Sequence, residues 1–175
     1  MSFLTEFVEL NKSLHDRESF DCGNKGLNHF IQTQAARHAK QAISKTYVLP
    51  SIKKLDSGKS SICAFYTLSP LSIDRQTLPG NISKKLPHYP IPAILLGQLA
   101  VNIDFKGNGL GKITLVQALK FAHAISNEIG GFAVIVDCLE QSVENFYSKY
   151  GFQQLEIINQ KMRMFLPMKT IKQII

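Results

Sequence analysis

An apolar strand ending near Val101, a loop carrying Gly107, Gly109 and Gly111, and a long helical run opening at Leu110 constrain this chain more than any other stretch. Glycines at such a junction let main chain approach a ligand with no Cβ in the way. The first turn of the helix presents N–H groups without intrahelical acceptors, and its dipole favours an anion. With Lys106 and Lys112 flanking the glycines, the segment reads as a phosphate-binding loop rather than an ordinary strand-to-helix turn. A P-loop is excluded, because the GxxxxGK[ST] spacing and the hydroxyl after lysine are both missing. A dinucleotide fingerprint needs GxGxxG and an acidic residue roughly twenty residues on, at a strand tip. Here the order is GxGxG, and Glu128 falls in a polar helix end.

The 175 residues suit one domain, 1–175, with a full-sized core. Apolar residues make up 45% and charged residues 19%, ordinary globular chemistry without a disordered bias. No apolar run approaches the ~20 residues that span a bilayer, and no basic stretch leads an apolar one at the N-terminus. No membrane contact is expected. Cys22, Cys63 and Cys138 have no metal-ligand spacing and cannot all pair within one chain, so free thiols of a cytoplasmic protein are expected, and no metal. A net charge of +7 attracts polyanions: nucleic acid, an acidic partner or the phosphates of a cofactor.

Along the chain, a short first strand is expected around Phe7–Leu10, then a turn-rich segment from Leu14 to Gly23. Asn24 is a good N-cap for a helix with Leu27, Phe30, Ile31, Ala35 and a core-facing His38 on one face. Strands over 46–49 and 62–68 form a hairpin. Residues 74–92 hold Pro79, Pro87, Pro90 and Pro92 and read as a long loop. The strand 93–101, the helix from Leu110 to a stop at Gly130-Gly131, a buried strand over 132–136, a helix over 140–149 and two final strands follow. This order predicts an α/β fold with a mixed sheet of about six to seven strands flanked by helices, parallel pairing falling in the second half.

Lys106-Gly107-Asn108-Gly109-Leu110-Gly111 resembles motif A of the GNAT acetyltransferase superfamily, [Arg/Gln]-x-x-Gly-x-[Gly/Ala]. Lysine stands at its first position, keeping the cation and losing the planar fork of arginine. Glu144-Asn145-Phe146-Tyr147-Ser148-Lys149-Tyr150-Gly151-Phe152 is similar to the superfamily's Phe-Tyr-x-Lys-x-Gly-Phe. A narrower resemblance covers nearly the whole chain. His15-Asp16-Arg17 with Phe20-Asp21-Cys22-Gly23, Tyr66–Ser69, Lys85–Pro92, Leu95–Val101 and Arg163–Met168 resemble blocks of the TacT/KacT-type toxins of bacterial toxin–antitoxin modules.

The resemblance implies the GNAT fold and transfer of acetyl from acetyl-CoA to the α-amine of the amino acid on charged tRNA, which stops translation. It implies a ribbon-helix-helix antitoxin and a homodimer as partners. It places the pantetheine arm on the main chain of Leu99, Ala100 and Val101, and the diphosphate on residues 106–112, with Asn145 also at the cofactor. Tyr147 maps onto the general acid that protonates the departing thiolate. With ordinary pKa values of ~10 for tyrosine and ~8.5 for thiols, the phenol is protonated at neutral pH and can donate. Tyr150 is a packing residue, and Glu140 a carboxylate at a helix start. Arg37, Lys40, Lys45, Lys84 and Lys85 are the candidate tRNA phosphate contacts. Two alternatives stay open: acetylation of a small amine or of a protein or peptide amine, and an acetyl-CoA- or RNA-binding module with a decayed active site.

Overall fold

The computed structural model describes residues 3, 4 and 6–175. Its elements, in chain order, are β1 (Val8–Glu9), β2 (His15–Asp16), α1 (Lys25–His29), α2 (Ala35–Lys40), β3 (Lys45–Lys54), β4 (Ser60–Ile73), α3 (Gly80–Ser83), β5 (Ile91–Val101), α4 (Leu110–Ile129), β6 (Ala133–Cys138), α5 (Gln141–Ser148), β7 (Gln153–Ile158), β8 (Lys161–Pro167) and α6 (Met168–Ile174). They form two compact units, one of residues 1–69 and 98–118, the other of residues 70–97 and 119–175.

In the first unit, β1 pairs antiparallel with β3 (Val8 with Val48) and β3 antiparallel with β4 (Lys45 with Leu68 through Lys54 with Ser60). Pro50 cannot donate to a ladder, and the register shifts on both sides of it. β2 pairs parallel with Ser60 and Ser61 of β4. It falls within the segment that reads as turn-rich, because two residues carry no periodic signal. Asn24 caps α1 as expected, its Oδ1 accepting from Leu27 N at 3.0 Å. The helix is not continuous. A π-helical turn, Phe30–Gln34, separates α1 from α2, with Ala35 N–H bonding Phe30 O five residues back. Phe30 and Ile31 are buried there, and Phe30 and Phe20 close on Phe65 at ring distances of 6.4 and 5.2 Å. His38 packs edge-on against Phe30 at 5.6 Å, the core-facing role its spacing predicts. A second cluster buries Leu49, Cys63, Ala64 and Leu110, with Phe105 and Val101 against it.

In the second unit, β5 pairs parallel with β6 (Ile94 with Val134), as the strand–helix alternation predicts. β6 pairs antiparallel with β8, and β8 with β7. Ile73, Leu78, Ile91, Ala93, Ala133, Ile135 and Phe165 form its core. Across β6 and β8, Arg163 grips Asp137 with two parallel bonds of 2.7 and 2.8 Å. The proline-rich segment holds more structure than a loop. Asp74 Oδ1 caps a 3-10 turn over Arg75–Thr77 by accepting from Gln76 N at 2.9 Å, and α3 starts directly after Pro79, where a missing N–H does no harm. α6 was not expected. It follows Pro167 and buries Met168 and Ile171, three residues apart on one face.

His15 is buried, its Nδ1 accepting from Asn11 N at 3.0 Å. Burial, and then the charge of Lys54, hold its pKa below the ordinary 6.5. As pH falls through that value the unfolded chain takes up a proton that the folded chain refuses, so stability drops until the folded pKa is passed. Urea midpoints measured between about pH 7.5 and 5 should therefore fall in the native chain and fall less steeply in His15→Gln. Equal slopes would overturn this assignment.

Candidate active site

The glycine loop lies between a half-buried anchor and a buried one. Phe105 packs edge-on to Phe3 at 6.3 Å, and Leu110, the first residue of α4, is 1% exposed. Between them Gly107 and Gly109 adopt φ of +83° and +69°, the left-handed region that side chains with a Cβ disfavour. A Cβ built on either would meet nothing within 4 Å, so conformation and not crowding requires glycine there. Gly111 differs: it is the second residue of α4. The first main-chain bond of α4 runs from Ile113 N to Gly109 O at 3.2 Å. The amides of Leu110, Gly111 and Lys112 are thus left without intrahelical acceptors. No acidic residue sits in this first turn, and Lys112 adds a cation where the helix dipole favours an anion. An isolated helix is weakened by that choice, whereas a bound phosphate would reverse the sign.

Lys106 has a role the sequence did not show. Its Nζ donates to the Cys22 carbonyl at 2.7 Å. The segment that receives it is itself fixed: Asp21 Oδ1 accepts from Gly23 N and Asn28 Nδ2, both at 2.8 Å, while Asp21 O accepts from Ile103 N at 2.8 Å. The lysine therefore ties the glycine loop to the Asp21–Gly23 turn, and it retains two further N–H groups for an anion. Asn102 completes the entry to the loop, donating N–H to Cys63 O at 2.8 Å and accepting from Asp104 N at 3.1 Å. Leu99, Ala100 and Val101 form the end of β5, Ala100 buried and its neighbours half-buried. Asn108 is exposed in the loop, its Nδ2 reaching Phe105 O at 3.4 Å.

In the second unit, α5 carries Asn145 and Tyr147. Asn145 is exposed and its Oδ1 accepts from Gln141 Nε2 at 3.1 Å. Tyr147 is 7% exposed, flanked by Phe146 at 5.2 Å and Phe152 at 5.1 Å. Burial, with Cys138 nearby, pushes the phenol well above the usual tyrosine range, so it stays protonated at neutral pH. Among the described residues its hydroxyl has no hydrogen-bond partner, which leaves its proton uncommitted. Tyr150 packs on Phe146 at 5.2 Å. Glu140 occupies the N-cap of α5 without a side-chain cap bond.

The five basic candidates divide by environment. Arg37 and Lys40 on α2, and Lys84 and Lys85 after α3, are exposed and make no ion pair among the described residues. Lys45 is instead paired with Glu9, both side chains 51% exposed. No cluster of histidine, cysteine or carboxylate groups able to hold a metal exists among the described residues. No helix among them is long and apolar enough to cross a membrane.

Six curated proteins match this chain. One, a "probable toxin TacT" of Sinorhizobium fredii, is 30% identical over 171 residues, 93% of this chain and 91% of that protein. The chain belongs to the TacT/KacT-type family of GNAT acetyltransferase toxins. A second relative, a "tRNA-acetylating toxin" of Mycobacterium tuberculosis, is 28% identical over 79% of this chain and 78% of its own length. Among solved structures, a tyrosine-to-phenylalanine mutant of KacT superposes with a TM-score of 0.88 at 26% identity, covering both chains fully. AtaT complexed with acetyl-methionyl-tRNAfMet follows with a TM-score of 0.84 at 27% identity over 97% of this chain and 98% of its own. AtaTR bound with acetyl-CoA gives 0.82 at 26% identity over 99% and 98%. No protein-family model matches. The fold and family that motif A and the Phe146-Tyr147 block predict are thereby borne out.

Because the Tyr147 hydroxyl is unpartnered, Tyr147→Phe should shift the free energy of unfolding by no more than about 0.5 kcal/mol. Chemical denaturation checks this, and a loss of several kcal/mol would show that the oxygen holds the fold.

Proposed function

We propose that the chain moves the acetyl group of acetyl-CoA to the α-amine of the amino acid on charged tRNA, blocking translation as the toxin of a toxin–antitoxin pair. The observation that carries this reading is the likeness, over 97% of the chain, to AtaT holding acetyl-methionyl-tRNAfMet. In this reading the diphosphate of acetyl-CoA rests on the amides of Leu110, Gly111 and Lys112, with the main chain of Gly107, Asn108 and Gly109 and the ammonium of Lys106 beside it. The Leu99–Val101 main chain receives the pantetheine arm, and Asn145 contacts the coenzyme. A strand N–H there polarises the thioester carbonyl and carries the charge that develops on its oxygen. The amino ester's α-amine is less basic than a lysine side chain, so a neutral fraction attacks and water takes its proton. Tyr147 donates its phenolic proton to the departing sulfur; burial keeps that proton on the oxygen at neutral pH, so the acid is in its donating form before transfer.

Arg37, Lys40, Lys84 and Lys85 meet tRNA phosphates, with Lys45 contributing least because Glu9 already neutralises it. These contacts position the acceptor stem without reading sequence. The protein acts in the cytoplasm, where charged tRNA is found, as a homodimer neutralised by a ribbon-helix-helix antitoxin. The buried, unpaired cysteines fit a reducing compartment.

Purified protein incubated with labelled acetyl-CoA and separate pools of charged tRNA, peptides and polyamines tests the substrate. Label on the aminoacyl moiety of tRNA is expected. Label on peptides or polyamines alone would replace this reading with another acetyltransferase, and label nowhere with a binding module. In the same assay, Tyr147→Phe should lower kcat about a hundredfold or more while leaving the acetyl-CoA dissociation constant unchanged. An unaffected kcat removes Tyr147 from catalysis. Raising salt from about 50 to about 200 mM should raise KM for charged tRNA at least tenfold. Lys84→Glu with Lys85→Glu should raise it more than Lys45→Glu does, and a salt-independent KM would argue against phosphate contact.

A further inference from the structure

The chain between β4 and β5 borders a cleft of about 380 Å³, lined by Ser72, Asp74, Arg75, Gln76, His88 and Tyr89 among others. None of these residues belongs to the glycine loop or to α5, so the acetyl-transfer chemistry leaves the cleft unexplained. Its cation is pinned. Arg75 Nε donates to the Ser83 carbonyl at 2.6 Å, and Nη1 meets the His88 ring, 3.1 Å from Nε2. The rest of the guanidinium fork keeps donors for a guest.

Tyr89 adds an aromatic face that is 64% exposed, the second independent feature of the cleft. An uncovered ring beside a fixed guanidinium is the platform on which unpaired bases stack. Asp74 decides which part of a nucleotide enters. One of its oxygens already holds the Gln76 amide, but the carboxylate remains an acceptor that repels phosphate and suits an exocyclic amine. Adenine and cytosine carry such an amine on their pairing edge. Phosphates flanking the base would then face Lys84 and Lys85, exposed on the turn whose Ser83 carbonyl fixes Arg75.

We propose that this cleft seats one unpaired nucleotide from the single-stranded 3′ end of charged tRNA, its base stacked on Tyr89 and its amine at Asp74. The CCA end shared by all tRNAs consists of amine-bearing bases. The proposal rests on the tRNA reading given above.

Steady-state acetylation of a charged-tRNA pool by the full-length protein tests it, with acetyl-CoA affinity measured in parallel by calorimetry. Tyr89→Ala should raise KM for charged tRNA about tenfold, the scale of one lost stack, and Tyr89→Phe should restore KM to within about twofold. Arg75→Gln should also raise it, and acetyl-CoA affinity should be unchanged in all three. If the native chain acetylates charged tRNA and Tyr89→Ala leaves KM unmoved, the cleft proposal fails alone. It also fails if Tyr89→Phe is as impaired as Tyr89→Ala, or if acetyl-CoA affinity falls alongside, since neither outcome comes from stacking. If the native chain acetylates no charged tRNA, the substrate reading falls and takes the cleft with it.

Discussion

Main-chain amides recognise an anion only when something prevents them from finding acceptors of their own. In this chain that condition is met by the left-handed turns at Gly107 and Gly109, which deliver the backbone into α4 with its first amides open. The conformation does not hold itself. Buried Leu110 on one side, Phe105 on the other and the Lys106 ammonium on the Cys22 carbonyl fix the loop from three directions. Preorganisation of this kind removes the entropic cost of ordering a loop at the moment of binding. The Asp21–Gly23 turn, remote in sequence, is therefore part of the loop's support.

Much of this was legible in the chain itself, for a physical reason. Glycine spacing, the apolar run before it and the helix after it are local signals, so the strand–loop–helix junction could be placed from residues 99–112. The parallel pairing of Ile94 with Val134 likewise follows from strand–helix alternation. What escaped depends on distant partners. β2 exists because two residues meet Ser60 and Ser61, and Lys106 finds an acceptor 84 residues away. The π turn at Phe30–Gln34 places Phe30 and Ile31 in the core in a way that a 3.6-residue period does not describe. The prolines of residues 74–92 argued against regular structure, yet Pro79 starts a helical turn, because its constraint is harmless at that position.

The second half of the chemistry has a different origin. Tyr147 owes its protonated state to apolar company, with Phe146 and Phe152 against its ring and no partner for its oxygen. The same aromatic cluster that makes the residue look like core packing keeps its proton in place. Sequence alone could not separate core packing from the proposed proton donation, since one arrangement is compatible with both.

The three cysteines bear on this chemistry as well. A thioester is open to attack by any thiolate within reach, and an enzyme that handles one risks acylating itself. Cys22, Cys63 and Cys138 are all buried, and burial raises the thiols of Cys63 and Cys138 to about 11. At neutral pH these two sulfurs carry their hydrogens and are poor nucleophiles. Cys138, whose Sγ lies 3.7 Å from Met164 Sδ, is close enough to bear on the Tyr147 phenol.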